Sequence, residues 1–143
     1  MKRIRVINGP NLNMLGVREP EIYGHETYRD LCYYVTEEAK ALGLEVEFFQ
    51  TNSEGELVDL IQGSLGKADG IVINPAAYTH YSVAVLDALQ AVDLPKVEVH
   101  LSNIHRRESF RQRCVTTAGC DGQICGLGRV GYVLALVYLL DRM

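Results

Sequence analysis

Two of the four histidines stand in polar stretches that directly follow apolar runs. His80 closes Asn74-Pro75-Ala76-Ala77-Tyr78-Thr79-His80, and His100 opens His100-Leu101-Ser102-Asn103. A third such stretch, Asn8-Gly9-Pro10-Asn11-Leu12-Asn13, follows the first apolar run. Imidazoles change charge near neutrality, so they suit acid–base or hydrogen-bonding work. A lone histidine is usually a satisfied core residue, but two at the ends of adjacent strands weaken that reading. Asn and Ser also favour turns for local reasons. A metal pair is disfavoured, because no Asp, Glu or Cys with ligand-like spacing joins the histidines. Arg18 and Tyr23 share one loop, Arg18-Glu19-Pro20-Glu21-Ile22-Tyr23-Gly24. Tyrosine is a poor base at neutral pH, with an unperturbed pKa of ~10. A nearby guanidinium, which stays charged, favours the phenolate. A solvated loop anchored by the packing of Tyr23 explains the same residues, and spacing alone does not decide between them.

The elements that must position these residues alternate strand and helix. Ile4–Asn8 reads as a strand ending at Gly9-Pro10, and a long loop runs from there to His25. Loops of that length in compact α/β domains are often functional. Thr27 with Asp30 marks a helix start, Leu31, Val35, Ala39 and Leu42 form one apolar stripe, and Gly43 ends it. Leu44–Gln50 is a second strand, and Ser53 with Glu56 starts a second helix. Gly70–Asn74 is almost wholly apolar, which predicts a strand buried on both faces. A helix over Tyr81–Val92, a strand over Lys96–His100, a short strand near Gln123–Cys125 and a helix over Arg129–Leu140 complete the chain. Its last helix carries Val130, Val133, Leu134, Leu136, Val137 and Leu140 on more than one face. Either a deep core helix or a subunit contact accounts for that. Five strands alternating with helices predict a flavodoxin-like, doubly wound α/β fold, a parallel sheet in the order 2-1-3-4-5 with helices on both faces. Ligands in such sheets bind beyond the carboxyl ends of the strands, where the three polar stretches fall.

The 143 residues suit a single domain over 1–143. A net charge of −4 gives no basic surplus for nucleic acid, although Arg106, Arg107, Arg111 and Arg113 form a local cluster. Cys32, Cys114, Cys120 and Cys125 have no CxxC spacing and read as reduced thiols. The longest apolar run, Tyr132–Leu140, is too short to span a bilayer, and no leader is evident, so a cytoplasmic protein is expected. No GxGxxG follows the first strand and no P-loop lysine occurs. Gly126-Leu127-Gly128-Arg129-Val130-Gly131 does match GxGxxG, but after the last strand, where it reads as a tight turn with close helix–sheet packing. A phosphoacceptor receiver would want acidic residues where the first strand ends in asparagines.

The stretch Ile7-Asn8-Gly9-Pro10-Asn11-Leu12-Asn13-Met14-Leu15-Gly16, with Arg18-Glu19-Pro20 and Tyr23-Gly24, resembles type II 3-dehydroquinate dehydratase. Asn74–His80, Glu98–His105 and Gly126-Leu127-Gly128 with Gly131-Tyr132 are similar to that family too, in order and over essentially the whole chain. The resemblance implies a reversible anti elimination of water from 3-dehydroquinate, through an enolate, to 3-dehydroshikimate, with no metal and no cofactor. It implies Tyr23 as the base, Arg18 as the cation favouring its phenolate, Asn11 as holder of a water at the enolate oxygen, and His100 as the acid. Asn74, His80 and Arg111 would hold substrate hydroxyls, and Leu101 and Ser102 the carboxylate. Glu98 would orient His100, and Asp87 would reach a neighbouring subunit's site. A homo-oligomer, a dodecamer of four trimers, is implied, with a place in the shikimate pathway of aromatic amino-acid biosynthesis. Quinate breakdown and a flavodoxin-like binding module are the alternatives. Lys2, Lys40, Lys67 and Lys96 all fall away from the predicted strand ends, which disfavours a Schiff-base route. The chain departs from the pattern at Tyr81, Leu86, Cys114 and Asp121, Cys114 standing where serine is usual.

Overall fold

The structure, a computed structural model, describes the backbone of residues 1–143 and every side chain except that of Tyr23. Strands β1 (Lys2–Asn8), β2 (Leu44–Gln50), β3 (Gly70–Asn74), β4 (Lys96–His100) and β5 (Gly122–Cys125) form one parallel sheet in the order β2-β1-β3-β4-β5. This is the flavodoxin-like topology that the strand–helix alternation predicts. The helices are α1 (Pro20–Tyr23), α2 (Tyr28–Ala41), α3 (Glu54–Gln62), α4 (Val83–Ala91) and α5 (Val130–Arg142). No helix among the described residues is long and apolar enough to cross a membrane.

The pleat divides the core in two. Ile4 and Val6 of β1, Val72 of β3 and Val97 and Val99 of β4 face α2 and α5, where they pack with Leu31, Val35 and Leu136. Ile7, Ile71 and Ile73 turn the other way, onto Leu57 and Ile61 of α3 and Val85 and Leu89 of α4. Period-two alternation makes this assignment unavoidable once the register is set. Each fully buried aliphatic side chain contributes about 1.5–3 kcal/mol, so both faces are needed.

Local signals position the ends. Thr27 and Asp30 form a reciprocal capping box at the start of α2. Ser53 caps α3 through the Glu56 amide, while the Glu56 carboxylate accepts from Thr51 instead. The helix expected to start near Tyr81 instead begins at Val83, because Ala76–His80 winds as a 3-10 turn and Ser82 caps α4 by accepting from the Val85 amide. The predicted loop after β1 is partly wound as well, with a 3-10 turn at Leu12–Met14 and the single turn of α1. α5 buries one face only: Val130, Leu134, Val137 and Leu140 are between 41% and 47% exposed. The deep-core reading of this helix is therefore corrected for the single chain.

Candidate active site

The register places Asn8 level with Gln50 and Asn74, so β1, β2 and β3 end together. A side chain at Gly9 could not be accommodated. A Cβ there would stand 2.6 Å from the Pro75 carbonyl oxygen. Glycine lets the ends of β1 and β3 close on each other, with the Gly9 amide donating to the Asn74 carbonyl at 2.8 Å. At the far side, the predicted Gly126–Gly128 turn locks the end of β4. The Gly126 amide donates to His100 O and the Gly128 amide to Leu101 O. The left-handed φ of +88° at Gly126 suits glycine alone, and a Cβ would press on Asn103 at 3.0 Å.

These ends surround a cleft of about 640 Å³, part of it open to solvent. Asn11, Arg18, Asn74, His80, His100, Leu101, Ser102 and Arg111 all line it, so most of the expected site residues converge. Glu98 stands behind His100. Asp87 is exposed on α4 and does not line the cleft of its own chain. The side chain of Tyr23 lies outside the described residues. Asn11 and Ala76, at the rim, adopt left-handed backbone with φ of +70° and +52°. Such conformations cost non-glycine residues on the order of 1–3 kcal/mol and concentrate at functional sites.

Glu98 and His100 are two apart on β4 and therefore share a face. His100 Nε2 donates to Glu98 Oε2 at 2.6 Å, and neither residue is more than 5% exposed. The same carboxylate accepts from the hydroxyls of Thr79, Thr116 and Thr117 and from Gln123 Nε2. Burial opposes its charge, but the bonds from His100, Thr116 and Gln123 outweigh it and hold the carboxyl at about 2. Glu98 is thus a fixed anion, and its bond leaves His100 Nδ1 for the cleft. His80 is held differently. Its Nδ1 lies 2.7 Å from the Arg113 carbonyl, which can only accept. Nε2 is then a bare acceptor, and burial pushes the ring below the usual histidine value, so it is neutral at pH 7.

Asn74 is anchored from the opposite face of the sheet. Its Nδ2 donates to the Tyr132 hydroxyl at 3.0 Å, and its Oδ1 accepts from the Ala76 amide. The Tyr132 hydroxyl donates to Asn8 Oδ1 at 2.6 Å, and Asn8 Nδ2 donates to the Tyr28 hydroxyl. Burial raises the pKa of both tyrosines, so the chain is neutral throughout.

The loop after β1 is tied across the cleft. Glu19 pairs with Arg18 at 3.6 Å and with Arg107 Nη2 at 3.2 Å, and Arg107 Nη1 also donates to the Ser102 hydroxyl. Arg107 lines the cleft with its side chain only 11% exposed. Sequence reading placed it in a basic cluster without distinguishing it from Arg106 or Arg113, since only burial separates them. Nor did spacing point to Thr116, Thr117 or Gln123, which approach Glu98 from segments far along the chain. The two histidines do not share a cluster of possible metal ligands among the described residues, but His100 stands in one without His80. Among the described residues, ligand atoms of Glu98, His100 and Cys114 lie within 4.8 Å of one another.

Known proteins share this sequence pattern and fold. The family model described as Dehydroquinase class II matches residues 2–140. A 3-dehydroquinate dehydratase of Clostridium acetobutylicum is 54% identical over 141 residues, 99% of this chain and 98% of that protein. Crystal structures of type II dehydroquinases from Butyrivibrio crossotus and Propionibacterium acnes superpose with TM-scores of 0.94 and 0.95. They are 50% and 47% identical, cover 98% and 99% of this chain, and are themselves covered to 97% each. With every wall of the cleft inside the matched span, from β1 to α5, the chain belongs to the class II dehydroquinase family.

Proposed function

We infer that the chain dehydrates 3-dehydroquinate to 3-dehydroshikimate. The observation that carries this reading is a histidine backed by a buried, ionised carboxylate, facing a cleft that the loop arginine also lines, in a chain of this family. Tyr23 is the proposed base, removing the proton from the carbon beside the ketone. Arg18 favours its phenolate, since a nearby cation stabilises the charged form. The enolate that results places negative charge on oxygen, where Asn11 holds a water that stabilises it. His100 then gives a proton to the departing hydroxyl, which leaves as water. Base and acid end the turnover one proton out of balance, and transfer between them through water restores both.

The remaining roles follow from what each group offers. His80 Nε2 accepts from a substrate hydroxyl, and Asn74 and Arg111 hold others. The backbone at Leu101 and Ser102, with the Ser102 hydroxyl, receives the carboxylate. Glu98 orients His100 and supplies the countercharge for its protonated ring. No metal or cofactor enters this route. Asp87, exposed on α4, reaches the cleft of a neighbouring subunit in a homo-oligomer, a dodecamer of four trimers. The exposed apolar face of α5, with Tyr81 and Val83 at the start of α4, supports such an assembly. The enzyme acts in the cytoplasm, in aromatic amino-acid biosynthesis.

Incubating the purified protein with 3-dehydroquinate should produce the absorbance of the conjugated enone. Absence of that signal at high protein concentration would sink the reading. Tyr23→Phe should abolish turnover and keep substrate binding, and near-normal turnover would remove Tyr23 as the base.

A further inference from the structure

One side chain beside the cleft, Cys114, has no place in the dehydration. Cys114 does not line the cleft, yet it is pinned next to it. The carbonyl of the preceding Arg113 accepts from His80, and the following Val115 amide donates to Thr79 O at 2.6 Å. Thr79 in turn donates to Glu98. The thiol is thereby brought to the two residues of the acid, and one ligand atom each from Cys114, His100 and Glu98 falls within 4.8 Å of the others.

We propose that Glu98, His100 and Cys114 form an inhibitory site for a divalent cation of the zinc class. Sulfur, nitrogen and oxygen donors are the set that zinc prefers, with bonds of about 2.0–2.3 Å. Tetrahedral ligands on such bonds stand roughly 3.3–3.8 Å apart. Side-chain rotations of about 1 Å therefore close the cluster around an ion. The cation takes the place of the proton that His100 now holds against Glu98. Cys114 releases its proton to solvent; an imidazolium at His100 likewise releases its Nε2 proton, while in a neutral ring that proton moves to Nδ1. Thiolate and carboxylate then offset the dication, so no net charge is buried. Thr79, Thr116, Thr117 and Gln123 already fix the carboxylate, as outer hydrogen bonds do for ligands in metal sites. A metal-bound His100 is a neutral imidazole with its one proton on Nδ1, a far weaker acid than the imidazolium, so protonation of the leaving hydroxyl is lost, and this consequence rests on its proposed role as the acid. Serine at position 114 would lack the thiolate and with it the site.

Cobalt binding and zinc inhibition test the proposal in wild type and Cys114→Ser. Cobalt should give a thiolate-to-metal charge-transfer band in wild type and none in C114S. Zinc should inhibit turnover of wild type reversibly, with EDTA restoring it. In C114S basal turnover should persist, and the zinc concentration for half inhibition should rise at least about tenfold, since even the loss of an outer partner of a metal ligand costs about 10- to 100-fold in affinity. No band in wild type, or equal zinc sensitivity in both proteins, overturns the site. A band with undiminished turnover overturns the inhibition and, with it, the assignment of His100 as the acid, but not the site.

Discussion

The cleft rests on two buried hydrogen-bond networks, one on each face of the sheet, and they differ in charge. Behind His100, on the side of α3 and α4, an ionised Glu98 gathers bonds from three threonines, a glutamine and the imidazole. Behind Asn74, on the side of α2 and α5, Tyr132, Asn8 and Tyr28 form a chain with no charged member. The contrast matches what each front residue must do. A group that exchanges a proton needs a fixed countercharge, while an amide that only holds substrate needs fixed dipoles. Ionised partners make the stronger bonds, but they carry a larger desolvation cost, so charge is confined to the side that uses it.

Removing the front residue of the charged side should have the largest effect. His100→Ala is expected to lower kcat roughly 100- to 10,000-fold, the usual worth of a general acid. A well-folded variant with kcat within threefold of wild type would break the assignment. Next comes Glu98→Gln, which keeps the shape and removes the charge. Bonds to a charged group are worth about 1.5–3 kcal/mol, so kcat should fall roughly 10- to 100-fold with KM less affected. The same variant bears on pH. Glu98 sits at about 2 when folded, below its ordinary 4.5. Its contribution to stability is fully present above pH 4.5 and is lost as pH falls towards 2, in total a few kcal/mol. Acid titration of unfolding free energy should show that slope in wild type and a flatter one in E98Q.

On the neutral side, Tyr132→Phe leaves an Asn74 N–H and Asn8 Oδ1 without their hydroxyl partner. A loss of about 1–3 kcal/mol in denaturant unfolding is expected. KM should rise more than kcat falls, because Asn74 is held and not titrated. A fall in kcat as deep as that of E98Q would erase the contrast between the two sides. The smallest effect belongs to the loop tie. Glu19 is 36% exposed, so Glu19→Gln should change global stability by less than about 1 kcal/mol. Its effect on KM should shrink at high salt, where exposed pairs are screened.

Sequence alone determined the sheet order, the capped starts of α2 and α3, the buried character of β3 and the tight turn at Gly126–Gly128. Each depends on local periodicity or on a backbone conformation that few residues adopt. It also placed Asn11, Asn74, His80 and His100 on one rim, because strand ends and polar stretches coincide. Other features depend on contacts between distant segments, which leave no periodic trace. Only the tertiary structure selected Arg107 from four nearby arginines, built the donor set around Glu98 and brought Cys114 to His100. It alone left one face of α5 uncovered. Chain spacing reports which residues share a face of one element. Burial and adjacency between elements arise from packing, and they decided which side chains the cleft received.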